Sequence, residues 1–225
     1  MKTLDASPEI VLPAVLLETA KRQSGLILVS GTLQSGLTQT LETLLRSIPE
    51  RQRVRWQDPE QPLHPSAEVV SFEGSLTAEI FIKLLCAAEE GRLVLLAQRT
   101  STSLATIRRI LSLSYGEGRR HLMARFVDQL LLVACEMRLP SLIDSQMEEA
   151  RELILMTPAM KIFLKNEDLQ SAEELLNSGE EGSGSVSFNQ SLLKLLLRRK
   201  IDIKTAFEAS PDPAHLDRIL KKVGI

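Results

Sequence analysis

The chain has 225 residues, 44% of them hydrophobic, enough for one sizeable packed domain or a domain with a smaller appendage. With 27 basic against 29 acidic residues the formal net charge is −2, which excludes a global attraction to nucleic acid or anionic membrane and leaves only local patches. No stretch approaches roughly 18 consecutive apolar residues and the N-terminus has no leader pattern, so a cytoplasmic protein without direct membrane insertion is expected. Cys86 and Cys135 lie in apolar stretches without CxxC or His spacing and read as buried free thiols.

Residues 10–22 read as a short helix entered at Pro13, and the apolar run Leu26–Val29 as a buried parallel strand. The turn that follows has the spacing of the phosphate-binding pattern G-x-x-x-x-G-K-[ST], in which backbone N–H groups wrap an anion at a helix N-terminus. Gly31, Gly36 and Thr38 occupy the right positions, with Ser35 between the glycines. Leu37 stands where the pattern places Lys, and Gln34 brings a side chain where such loops have a further Gly. Losing the ammonium removes the charge that neutralises a transferring phosphoryl group, so NTP hydrolysis is not expected. Two readings stay open for the loop. It is either a strand-to-helix turn without ligand, or a weak site for a nucleotide, cyclic dinucleotide or other anion.

Thr38–Ile48 continues as a helix with Leu41, Leu44, Leu45 and Ile48 on one face. Strands are expected at Arg53–Trp56, Val69–Phe72 and Leu93–Ala97, with a helix from Thr77 to Glu90 closed by Gly91. This alternation predicts an α/β fold with an open, mostly parallel sheet, ligands binding beyond the strand C-termini where Gly31–Thr38 falls. Asp58-Pro59 reads as a turn initiator, although Asp58 and Glu60 are also potential metal ligands by position.

After Thr100 the pattern reads as wholly helical: Ser103–Leu113, Glu117–Glu136, Glu148–Leu155, Thr157–Asn166, Phe188–Arg199, Ile203–Ala209 and Ala214–Lys222. Gly179–Ser185 reads as a solvated loop. The expected organisation is an α/β core over 1–140 and a helical region over 141–225 packed on it. Arg119, Arg120, Arg125 and the run Arg198, Arg199, Lys200 lack aromatic interleaving, so a nucleic-acid platform is not supported and solvated or protein-binding faces are expected.

From about Leu12 to Ala209 the chain resembles the C-terminal ATPase domain of the type IV pilus retraction and type II secretion motors, the PilT-like members in particular. Gly25–Gly31 is similar to that family's Walker A strand, and Trp56, Gln57, Asp58, Pro59, Glu60 and His64 to its aspartate box I-E-D-P-I-E-x-x-H. Ala87–Val94 with Thr100, Thr106, Ile107 and Arg109 resembles its histidine box, and Met156–Lys165 its T-P-A-[IV]-R-N-L-I-R helix. The resemblance implies a RecA-like P-loop core with a truncated sheet.

The departures from that family are as consistent as the matches. Gln57 replaces the aspartate-box Glu and can act neither as a base nor as a charged metal ligand. Glu68–Gly74 looks like the Walker B run D-I-I-L-V-G-E with its last pair exchanged, which predicts that Glu73 turns to the opposite face of its strand. Arg99 replaces the histidine. Some thirty residues between His64 and Ala67 are missing, as is the family's separate N-terminal domain. The resemblance therefore implies a pseudo-ATPase with no cofactor or metal, a monomer or small oligomer rather than a hexamer. Its expected partners are pilus, secretion or gliding-motility proteins or an active motor, with nucleotide or cyclic-dinucleotide sensing as the alternative.

Overall fold

Seven consecutive buried residues, Gly25–Gly31 (β1), form the middle of the sheet and explain why the sequence there shows no polar alternation. The computed structural model describes residues 11–48, 53–113, 118–143, 146–179 and 184–225. Before β1 comes α1 (Ala14–Thr19); after it come α2 (Leu37–Ser47), β2 (Arg53–Arg55), β3 (Val69–Glu73), α3 (Ala78–Glu89), β4 (Leu93–Gln98) and α4 (Ser103–Leu111). Next are α5 (Gly118–Gln129), β5 (Leu130–Pro140), β6 (Met147–Leu155), α6 (Pro158–Lys165), α7 (Leu169–Ser178), α8 (Phe188–Leu197), α9 (Ile203–Ala209) and α10 (Pro213–Lys222). The sheet order is β2-β3-β4-β1-β5-β6, every pairing being parallel except β5 with β6.

Side chains alternate across β1, so the sheet has two cores. Leu26 and Leu28 join Val70, Phe72, Phe81 and Phe126 on one face. Ile27 and Val29 meet Leu16, Leu41, Leu44 and Leu95 on the other. A third cluster, with Cys135, Leu139 and Ala150 against Phe188, Leu192 and Leu216, fastens α8, α9 and α10 to the far half of β5–β6. The later helices begin at local caps: Thr157 accepts from Met160 N ahead of Pro158, and Ser187 forms a reciprocal capping box with Gln190.

The wholly helical reading after Thr100 is corrected in two places. Residues 130–140 and 147–155 are strands, so the expected helices Glu117–Glu136 and Glu148–Leu155 do not form beyond Gln129. The run Leu130–Cys135 is a short apolar stretch that fits a buried helix or a buried strand equally well by period. Its place beside β1, from Leu26↔Leu130 to Gly31↔Glu136, decides for strand. Helix α7, capped by Asp168, has no counterpart among the elements expected from the sequence. The division at residue 140 falls between paired strands, with β6 running antiparallel along β5. Part of Gly179–Ser185 lies outside the described residues.

Candidate functional site

Between β1 and α2 the chain makes a loop that depends on two left-handed residues, Gln34 at φ 70° and Gly36 at φ 93°. Glycine is required at Gly31 by close approach and at Gly36 by torsion. A methyl group at Gly31 would come within 2.2 Å of Ser35 Oγ, and one at Gly36 within 2.4 Å of Arg138 Nη2. Ser35 is therefore folded back into the loop, buried, and its Oγ has no hydrogen-bond partner. Thr32, Leu33 and Gln34 face solvent.

Leu37 opens α2 and is only 3% exposed, packed into the apolar cluster of Ile27, Val29 and Leu41. An isobutyl group thus fills the place from which an ammonium would have reached outward. The next residue, Thr38, donates its hydroxyl to Glu73 Oε1 at 2.8 Å. The expectation that Glu73 faces away from the loop is thereby corrected. As the last residue of β3 it lies at the strand's C-terminal end, where its side chain reaches α2. The same carboxylate lies 3.8 Å from Arg99 Nη2. A cavity of about 440 Å³ opens here, walled by Leu37, Glu73, Gln98, Arg99 and Arg109. Arg109 makes no ion pair among the described residues, so its guanidinium is available to an anion entering the cavity.

On the other side of the loop, β5 and β6 contribute a polar layer that the sequence reading did not single out. Glu136 pairs in register with Gly31 and across the hairpin with Arg151, while Arg138 stands opposite Glu149. Thr40 Oγ1 donates to Glu136 Oε2 at 2.7 Å, and Arg151 Nε lies 3.7 Å from the same oxygen. Arg138 donates to Gln39 Oε1 at 2.8 Å while its guanidinium covers Gly36. Burial pushes the Glu136 carboxyl up to about 7; Thr40, Arg151 and Arg138 favour the charged form, and Glu149 opposes it. Its second oxygen, Oε1, is buried without a partner. The signal for this layer is present in the sequence as opposite charges two residues apart, Glu136 and Arg138 against Glu149 and Arg151. It becomes legible only once those segments are strands.

The remaining predicted residues sit elsewhere. Gln57 is exposed. Asp58 receives Glu60 N at 3.1 Å and Gln61 Nε2 at 3.0 Å, the geometry of an Asx turn. Glu60 lines a separate groove of about 530 Å³ with Trp56, Leu63 and Lys83. The structure thus brings Thr38, Glu73 and Arg99 to the loop but leaves Asp58 and Glu60 out of its cavity. Among the described residues no cluster of three His, Cys, Asp or Glu is disposed to hold a metal.

No family model matches the chain, and no curated protein does. Solved structures do. The pilus retraction motor PilT with bound ADP superposes with a TM-score of 0.85 at 24% identity, covering 96% of this chain and 71% of that one. The chain has the PilT ATPase fold. The DotB ATPases of Legionella pneumophila and Yersinia pseudotuberculosis follow, each with a TM-score of 0.74, at 15% and 17% identity. This chain is covered to 87% and 88% in those matches but spans only 62% and 61% of the DotB chains.

Within the PilT fold the loop at Gly31–Thr38 occupies the end of the central strand, with Glu73 and Arg99 at the ends of the next strands along. Chemically, the site offers the N-terminus of α2 and the guanidinium groups of Arg99 and Arg109 that line the cavity. It offers no ammonium at position 37, and the Thr38 hydroxyl is already engaged with Glu73. In the described part of the PilT fold no helix is long and apolar enough to cross a membrane.

Proposed function

We propose that this chain is a PilT-type protein that does not hydrolyse ATP and acts as a protein-binding or regulatory module in the cytoplasm. Its partners, on this reading, are type IV pilus, secretion or gliding-motility components, or an active motor ATPase. The observation that carries the proposal is Leu37, buried in the core where phosphoryl transfer calls for a cation. Two further observations support it: Glu73 is tied to Thr38, the residue a magnesium ion would need, and Gln57 replaces a carboxylate and is exposed. Purified protein is expected to release no phosphate from ATP above background. Activity that disappears in Thr38→Ala would reject the proposal. Pull-down from the native cell is expected to return a motor ATPase or a pilus, secretion or motility component.

A second reading, nucleotide or cyclic-dinucleotide sensing without hydrolysis, draws on the unpartnered Ser35 Oγ and on Arg99 and Arg109 at the cavity. A ligand at 100-fold over its Kd would raise the folded state's stability by about 2.7 kcal/mol, readable by thermal shift. No shift with ATP, ADP, GTP or cyclic dinucleotides would end this reading.

A further inference from the structure

The cavity beside the loop has three charged residues in its wall, Glu73, Arg99 and Arg109, brought together from the end of β3, the chain just beyond β4, and α4. Arg109 makes no ion pair among the described residues. Arg99 comes no nearer to Glu73 than 3.8 Å, beyond hydrogen-bond length, so its donors are not spent on that carboxylate. Thr38 donates to Glu73 Oε1 at 2.8 Å, which fixes the carboxylate at the cavity's edge and leaves it able to accept further donors. Gln98 Nε2 donates to Gly74 O at 3.2 Å and ties the ends of β3 and β4 together beneath these groups. The rest of the wall is uncharged, so two guanidinium groups against one carboxylate leave it with a net charge of +1.

Resting on the reading that this region takes a ligand without hydrolysing it, we propose that the cavity binds free orthophosphate, as hydrogenphosphate, and rejects sulfate. The two guanidinium groups meet the oxygens of an oxyanion with charge-assisted hydrogen bonds. Glu73 beside them repels an ion that can only accept, as sulfate does. Hydrogenphosphate keeps one O–H at neutral pH and donates it to that carboxylate. A carboxylate that would weaken a general anion site thus becomes the group that selects between two ions of like size and charge. No ammonium at position 37 is required, because no phosphoryl group is transferred. At about 440 Å³ the cavity is larger than the ion, which keeps water on its outer side.

The test is isothermal titration calorimetry of the full chain with sodium phosphate and, separately, sodium sulfate at neutral pH and constant ionic strength. Phosphate is expected to bind at one site, about tenfold or more tighter than sulfate. Glu73→Gln keeps an acceptor oxygen for Thr38 and is expected to bring the two ions to within about threefold of each other. Arg109→Gln is expected to weaken phosphate by about tenfold, with the circular dichroism spectrum unchanged. Arg108→Gln, on the same helix but outside this cavity, is expected to bind like the wild type. A wild type that binds both ions equally, or a Glu73→Gln variant that still prefers phosphate, overturns the proposal. If phosphate does not bind while ATP or a cyclic dinucleotide raises the melting temperature, orthophosphate is the wrong ligand and the sensing reading stands; if none of them binds, both fall.

Discussion

Glu136, buried beside the loop, has surroundings that oppose its charge. Burial raises it from 4.5 to about 7, so between those values the folded state holds a proton that the unfolded chain has released. Stability therefore falls as pH rises through that window, by up to about 3 kcal/mol. Urea titrations from pH 5 to pH 8 are expected to show this decline and to show a shallower one in Glu136→Gln. Burial pushes Glu152 in the same direction against the help of Ser103 N, so a residual slope persists in that variant. Thr40→Val removes the hydroxyl that donates to Glu136 and is expected to cost about 1–3 kcal/mol at pH 8, read as a lower urea midpoint. Leu37 was legible as the missing cation from its position alone. That its side chain lies in the core, and that Glu73 turns toward Thr38, are facts of packing that spacing along the chain does not carry.

At the scale of elements, the helices that announce themselves carry both a period and a cap. Helix α6 has Thr157 and Pro158, α8 has Ser187 and Gln190, and α10 has Asp212 and Pro213. Ser187→Ala is expected to cost about 1 kcal/mol, since it leaves Gln190 N without its acceptor and breaks the reciprocal bond; thermal melting reads it. The strands β5 and β6 carry no such mark. Their apolar run is as long as a helix turn or two, and the Glu136, Arg138, Glu149, Arg151 pattern distinguishes the alternatives only when two segments far apart in sequence are laid side by side. Strand pairing is a long-range choice, and β5 is a strand because the edge of β1 is there to receive it.

At the scale of the whole molecule, the hairpin crosses residue 140, where the sequence reading passes from the α/β core to a helical region packed on it as one unit. We expect 1–140 and 141–225 to unfold together. Phe188, fully buried on α8, sits in the cluster that fastens α8, α9 and α10 to β5–β6. Phe188→Ala is expected to cost about 3–5 kcal/mol. The chain's one tryptophan, Trp56, packs on Phe72 at the other end of the sheet with ring centroids 5.6 Å apart. If the chain is one cooperative unit, Trp56 fluorescence and far-ultraviolet circular dichroism move to the same lower midpoint in Phe188→Ala. Light scattering is expected to give a monomer or small oligomer; a stable hexamer would reject that expectation.

The sequence by itself determined the α/β class, the loop between the central strand and its helix, and the absence of a lysine at position 37. Each is written in a local window: an apolar run, a glycine spacing, one side chain. Tertiary structure alone decided that 130–140 and 147–155 join the sheet, that Glu73 meets Thr38, and that Arg138 and Glu136 close the loop's other side. The side-chain hydrogen bonds among them join residues 35 to 99 positions apart, and their free energy exists only once the chain has brought those residues together.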